Sequence, residues 1–270
     1  MRNCLTNEHF TMQTVLFTST IFGPIHSRRL GTSLGINLMP NDGKVCSFDC
    51  LYCEAGFNAQ GIGTTGLPTR KDVASALENK LSQMKNGGEN LDVITFSGNG
   101  EPTLHPEFSE IIDDVISLRD KYFPNVKISV LSNSTRIHIA KTAEALRKVD
   151  NNILKLDSAI NATAHTIDRP VNKDYDVKDI IARLADFGSK CIVQTMFIRG
   201  TYGGVTFDNT TEPEISALIE AYKAIKPSEV MIYSIDRKTP ADGLVKITAE
   251  ELGVIAEKIR KAGIKVMAAS

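Results

Sequence analysis

Apolar, β-branched runs recur along this chain at SLGINLMP, DVITFSG, VKISVLSN, NILKLDS, CIVQTMFI and EVMIYSI, and a helical pattern follows each of them. Few folds remain open to such an alternation, because βαβ units demand parallel strands joined by right-handed crossovers. The first helical pattern, 70–85, aligns Val73, Leu77, Leu81 and Met84; the second, 105–119, aligns Phe108, Ile111, Ile112, Val115 and Ile116. Further helices are predicted over 136–149, 176–187, 213–225 and 249–262. Pro213 suits a first helical turn, and Gly188 and Gly263 suit helix ends. No glycine fingerprint of a dinucleotide site follows the first strand, so the pattern favours an α/β fold of the partial (β/α)6 TIM type, with parallel strands, over a doubly wound sheet. A chain of 270 residues accommodates one such domain, expected over 21–270, behind a partly disordered extension, 1–20, in which Met12 is an alternative start.

The strands also say what the barrel encloses. A parallel strand covered on both faces reads as continuously apolar. In NILKLDS, however, Lys155 and Asp157 share one face and Leu154 and Leu156 the other; in VKISVLSN, Ser129 and Asn133 oppose Ile128 and Val130. A polar inner face implies an interior that holds water or a ligand.

Composition excludes other classes. A net charge of −1 with a pI near 6.5 gives no bulk attraction to nucleic acid or anionic lipid. No apolar run reaches the roughly 20 residues of a membrane span, and the N-terminus lacks the apolar region of a secretory leader. Five cysteines, three of them clustered, make a poor disulfide framework and point to a reducing cytoplasm.

Those three are Cys46, Cys50 and Cys53, in KVCSFDCLYC. A structural zinc site takes four ligands. Here the fourth would come from afar: Cys4 lies in the extension, Cys191 opens a strand, and His26 is the nearest upstream histidine. A four-iron cluster fits the count better, since three thiolates fill three corners and leave one iron open to a ligand. About one strand further on stands TFSGNGEPTLHPEF. Gly98 and Gly100 allow close backbone approach, Glu101 offers a carboxylate and Pro102 stiffens the turn. Free carbonyls beside a carboxylate suit an ammonium group; the plain alternative is a βα loop with an acid near a helix start.

Together the two segments resemble the radical S-adenosylmethionine (SAM) superfamily, whose loop reads Cys-x3-Cys-x-aromatic-Cys, here Cys46, Cys50, Tyr52 and Cys53. The superfamily's Gly-Gly-Glu-Pro segment is here Gly98-Asn99-Gly100-Glu101-Pro102, with Asn99 as a departure. The form Gly-Asn-Gly-Glu-Pro-Thr resembles wyosine-synthase-like Fe–S oxidoreductases, and FGPIHSRRLGTSLGIN, QTMFIRG and YSIDRKTPADGL extend that likeness over about residues 20–265.

The resemblance implies a [4Fe-4S] cluster on Cys46, Cys50 and Cys53 as metal ligands. It further implies reductive cleavage of SAM to a 5′-deoxyadenosyl radical, which takes hydrogen from an unidentified substrate. Tyr52 is then expected near the adenine, Gly98, Asn99, Gly100 and Glu101 at the SAM amine, and Asn133 or Ser132 at the ribose. Ser134 is expected to cap a helix starting near Thr135. Lys155 is expected to meet the SAM carboxylate and Asp157 a ribose or substrate, with a buried ion pair as the plain alternative. Gln194 is expected to face inward, and Tyr233, Asp236 and Arg237 to line the substrate region. Arg28 and Arg29, beside His26, form a basic cluster that could grip an anionic group, or simply a solvated surface. His105 and His138 read as helix-face residues and Asp168-Arg169 as a loop ion pair.

No second cysteine cluster or cobalamin domain is visible, which implies a one-cluster enzyme supplied with electrons by a flavodoxin or ferredoxin. Substrates of three kinds fit: a small molecule, a protein as for glycyl-radical-activating enzymes, or RNA, the last disfavoured by the neutral charge. A non-catalytic zinc or Fe–S binding protein is the alternative of another class.

Overall fold

The computed structural model describes residues 15–27 and 29–269. Cys4, Met12 and Arg28, and all of the expected extension before residue 15, lie outside the described residues.

A hairpin of β1 (Ile21–Ser27) and β2 (Gly31–Ile36) opens the fold. Strand and helix then alternate: α1 (Arg70–Asn86) leads to β3 (Val93–Phe96), α2 (Phe108–Tyr122) to β4 (Lys127–Ser132), and α3 (Ala140–Lys148) to β5 (Asn151–Lys155). Two helices, α4 (Asn161–Asp168) and α5 (Val177–Ala185), precede β6 (Ile192–Met196). A hairpin of β7 (Ile198–Tyr202) and β8 (Val205–Asp208) is followed by α6 (Glu212–Ile225) and β9 (Glu229–Tyr233). The chain then forms β10 (Leu244–Lys246), α7 (Ala249–Lys261) and β11 (Val266–Ala269).

The main sheet has the order β1-β2-β3-β4-β5-β6-β9-β11 and is parallel from β2 onward, with β1 antiparallel at its edge. Spatial order follows chain order. No reversal of the doubly wound kind arises, and the sheet curls into a half-barrel, as the strand–helix alternation predicts.

Alternation within the strands divides the two faces. Leu34, Ile36, Phe96, Val130, Leu154 and Val230 face the helices and share one core with Val73, Leu77, Leu81 and Met84 of α1. Each such side chain, fully buried, contributes about 1.5–3 kcal/mol. The opposite face is polar: Ser33 and Thr95 hydroxyls meet at 2.8 Å, and Asn151 donates to Ser129 Oγ at 2.9 Å. Apolar groups gather on that face at two places: Ile153, Ile192 and Met231 receive Leu30, and Met196 packs with Leu51, Tyr52 and Tyr233 at the strand ends. Capping boxes fix the starts of α1 (Thr69 with Asp72) and α7 (Thr248 with Glu251), and Pro213 sits in the first turn of α6.

Some expectations need correcting. α3 begins at Ala140 rather than near 136, because residues 133–139 are tied into turns: Thr135 N–H and hydroxyl both donate to Asn133 Oδ1, and Ser134 takes a positive φ of 68°. Ser134 therefore caps no helix; its hydroxyl donates to Lys155 O at 3.0 Å. α2 begins at Phe108 because Pro102–Leu104 forms a 3-10 turn, and His105 is buried between helices, with Nε2 2.8 Å from Pro68 O. The QTMFIRG segment is not one strand: β6 ends at Met196, and Ile198 starts a separate three-stranded sheet, β10-β7-β8.

Candidate active site

The segment after β2 crosses the C-terminal ends of the parallel strands. Val45 pairs there with the glycine loop after β3: its N–H donates to Asn99 O at 3.1 Å, and Glu101 N–H donates to Val45 O at 3.0 Å. Both glycines are required. Gly100 has φ 143°, and a Cβ on it would lie 1.9 Å from Val45 O; Gly98 has φ 149°, and a Cβ would lie 2.4 Å from Asn37 Oδ1. The close approach expected toward a ligand is thus, in the chain itself, an approach to the neighbouring loop.

Immediately after Val45 come Cys46, Cys50 and Cys53, all free thiols. Asn133 Nδ2 donates to Cys46 Sγ at 3.6 Å, and Lys155 Nζ donates to Cys50 Sγ at 3.0 Å. Burial, and then the Glu101 charge, pushes the Cys46 thiol up to about 11; burial lifts Cys50 well above the ordinary thiol value. A buried thiolate needs a cationic partner, and a bound metal supplies one. Among the described residues no group of three or more His, Cys, Asp or Glu is arranged to hold one metal ion. A cluster distributes its ligands over separate irons, and three unbridged thiols with N–H donors on two sulfurs fit that group. Cys191 stands apart, buried and donating to Gly188 O at 3.3 Å.

Glu101 is 2% exposed and its carboxylate accepts four hydrogen bonds. Oε1 accepts from Thr103 N (3.1 Å), Thr103 Oγ1 (2.5 Å) and Ser132 Oγ (2.9 Å), and Oε2 from Asn133 N (2.6 Å). Burial raises its pKa, against the opposing pull of these donors. The Glu101 side chain, expected at the SAM amine, ties the β3 loop to the end of β4. Asn99, expected at the same amine, is also tied to the chain. Its side chain is buried, accepts from Phe17 N at 2.8 Å, and donates to Phe17 O at 2.9 Å and Pro40 O at 2.8 Å. Asn133, expected at a ribose, donates to Ser47 Oγ at 2.9 Å as well as to Cys46, and so braces the cysteine loop.

A charged cluster lies at the end of β5. Lys155 Nζ is 3.1 Å from Asp157 Oδ2 and 2.6 Å from Asp168 Oδ1, and these side chains are 14%, 1% and 2% exposed. Burial alone would depress the ammonium's pKa, but Asp157 and Asp168 outweigh it and hold Lys155 charged. Asp168 is pushed up to about 7, by burial first, with Lys155 opposing and Asp157 adding to the rise. Asp157 also accepts from the Tyr52 hydroxyl and from Met196 N at 2.9 Å. Tyr52 lies with its ring 4.7 Å from Lys155 Nζ. Gln194 is 8% exposed and lies on β6, the strand that pairs with β9 and its terminal Tyr233.

Asp168 is the residue that sequence reasoning missed. Its expected pairing with Arg169 is overturned: Arg169, in a left-handed cap at φ 48°, turns away to Asp49 at 3.2 Å. Nothing in the string around Asp168 marks it, because its partner is set by how α4 returns to β5. At the rim, Arg237 pairs with Glu54 (2.6 Å) and Asp236 with Lys246 (2.8 Å), both at exposed positions.

The family model of the radical SAM superfamily matches residues 41–204, more than half of the chain. Among curated proteins, the chain is 30% identical over 226 residues to UPF0026 protein slr1464 of Synechocystis sp., covering 82% of this chain and 77% of that protein. It is 28% identical over 261 residues to a protein of Brachyspira hyodysenteriae named GTPase Obg, covering 95% of this chain and spanning only 35% of that protein's length. Among solved structures, a radical SAM methyltransferase from Sphaerobacter thermophilus superposes with a TM-score of 0.64 at 16% identity, covering 87% of this chain and 65% of that one. No helix among the described residues is long and apolar enough to cross a membrane.

Proposed function

The chain belongs to the radical SAM superfamily, and from that premise we propose that it is a one-cluster enzyme that uses SAM on a substrate held within the half-barrel. When bound, a [4Fe-4S] cluster and SAM supply a 5′-deoxyadenosyl radical able to take hydrogen from an unactivated carbon. The observation that carries the reading is the Val45–Gly100 bridge, which sets three free thiols against the glycine loop at the C-terminal ends of the strands.

Each neighbouring residue then has a task. Cys46, Cys50 and Cys53 hold the cluster. Asn133 and Lys155 donate to two of the sulfurs, which lowers the cost of negative charge there. The backbone carbonyls of Gly98 and Gly100 receive the SAM amine, while Glu101 and Asn99 pin that loop from behind. Lys155 and Asp157 with Tyr52 form one wall for the nucleotide, and Gln194 faces it from β6. The curled sheet excludes water, which keeps a reactive radical from competing partners. A flavodoxin- or ferredoxin-type donor supplies the electron, in the cytoplasm.

Anaerobic reconstitution tests this. Wild type is expected to take up about four irons per chain, from the cluster type assigned. Its EPR spectrum should change on adding SAM, and dithionite should release 5′-deoxyadenosine. A spectrum indifferent to SAM with no 5′-deoxyadenosine, or iron retained equally by Cys46→Ala, Cys50→Ala and Cys53→Ala, refutes the proposal.

A further inference from the structure

The turn between β1 and β2 carries a charge that the roles above leave unused. It tucks Leu30 against Ile153, Ile192 and Met231 on the inner face of the half-barrel. Its neighbour Arg29 is fixed at the backbone, its N–H donating to Ser27 Oγ at 3.4 Å. The Arg29 guanidinium lies over the Tyr233 ring, 4.5 Å from the centroid. Tyr233 ends β9, pairs with Met196 at the end of β6 and packs with Leu51 and Tyr52, so the guanidinium stands inside the barrel beside the wall assigned to the nucleotide.

Its satisfaction is incomplete. Arg29 Nη1 is buried and has no hydrogen-bond partner, and among the described residues no carboxylate pairs with this side chain. A buried, unpaired guanidinium N–H is costly, and such a group marks a place where a partner belongs. The acid that faces Tyr233, Asp157, is already held by Lys155, by the Tyr52 hydroxyl and by Met196 N–H. Among the described residues none supplies that partner, which leaves the place open to a ligand. Stacking on an aromatic face leaves the guanidinium's in-plane N–H edge free, the geometry that receives two oxygens of a carboxylate or phosphate.

We infer that Arg29 is the anchor for an oxyanion, a carboxylate or phosphate group, on a small-molecule substrate of this site. The proposal rests on the radical SAM reading for the identity of the site, but not for the anion itself. Burial of Nη1 within the half-barrel suits a terminal group of a compact ligand rather than the middle of a polymer.

Phosphate and acetate serve as probes, followed by 31P and 13C line broadening on the anaerobically reconstituted, SAM-loaded chain. Wild type is expected to broaden at least one of them. Arg29→Met should weaken that binding by at least about tenfold, the scale of a lost charge-assisted hydrogen bond. Arg29→Lys, which keeps the charge without the fork, should fall between; Arg260→Met, at an exposed position on α7, should match wild type. The stronger probe tells phosphate from carboxylate. If wild type binds neither anion, or binds no better than Arg29→Met, the anchor is refuted; should the Met variant not fold, the Lys variant's equality with wild type refutes it alone. EPR of the same wild-type sample with and without SAM reports on the radical reading separately: anion binding that needs Arg29 in a SAM-indifferent protein keeps the anchor and removes the chemistry, and the converse result does the reverse.

Discussion

Two buried carboxylate sites flank the cysteine loop, and they are satisfied in opposite ways. At the ends of β3 and β4, Glu101 receives four neutral N–H and O–H donors and, among the described residues, no paired cation. At the end of β5, Asp157 and Asp168 converge on one ammonium, Lys155. Neutral donors fix position and leave the negative charge uncompensated, so Glu101 still acts on Cys46, whose thiol it helps to raise. An ammonium cancels charge but makes the whole cluster depend on one side chain. The first site anchors a loop; the second balances a wall.

The difference predicts an order of effects. Lys155→Met should be the most damaging, costing about 3–5 kcal/mol, because two buried acids lose their shared cation. Urea unfolding of the purified chain measures it, and a loss below about 1 kcal/mol would mean that the acids do not rely on Lys155. Glu101→Gln should cost less, about 1–3 kcal/mol, since the amide turns one accepting oxygen into a donor facing other donors. A Gln variant less stable than the Met variant reverses the comparison.

A pH series sharpens it. Asp168 sits near 7 in the folded chain against an ordinary value of 3.8. Between those values the folded chain keeps a proton that the unfolded chain has released, so stability falls as pH rises through that window and the contribution is fully present only below it. Asp168→Asn, measured by unfolding midpoints from pH 4 to 7.5, is expected to flatten the decline. An unchanged slope places the titration elsewhere.

The same contrast explains what could be read from the sequence. The strand–helix alternation, the faces of Leu154 and Lys155, and the two contiguous motifs are local, and each was legible because neighbours in sequence do the work. The side-chain partners were not. Glu101 and Asn99 look like ligand-facing motif residues, yet their side chains bind the chain itself, through Ser132 and Asn133 in one case and Phe17 and Pro40 in the other. The β5 cluster draws on Tyr52, Lys155, Asp157 and Asp168, brought together only by the paths of a loop and a helix. The β7–β8 hairpin was hidden because Phe197 and Ile198 extend the apolar run of β6 without a break in composition.

Asn99 yields the smallest and most local expectation. Its amide brackets Phe17, accepting from its N–H and donating to its carbonyl, as a neighbouring strand would. Phe17 has a second hold, a ring stacked on Phe22 at 3.7 Å, which Asn99→Ala leaves intact. The net loss should therefore be about 1 kcal/mol, that of an ordinary hydrogen bond or two partly replaced by water. Hydrogen exchange locates it: the Phe17 amide should lose protection, while the Asn133 amide, held by Glu101, keeps its own. If Phe17 stays protected, the stacked rings hold the segment and the asparagine between the two glycines has some other task. If Asn133 loses protection as well, the glycine loop and the Glu101 anchor behave as one unit, and the division drawn between holding a loop and balancing a wall must be moved.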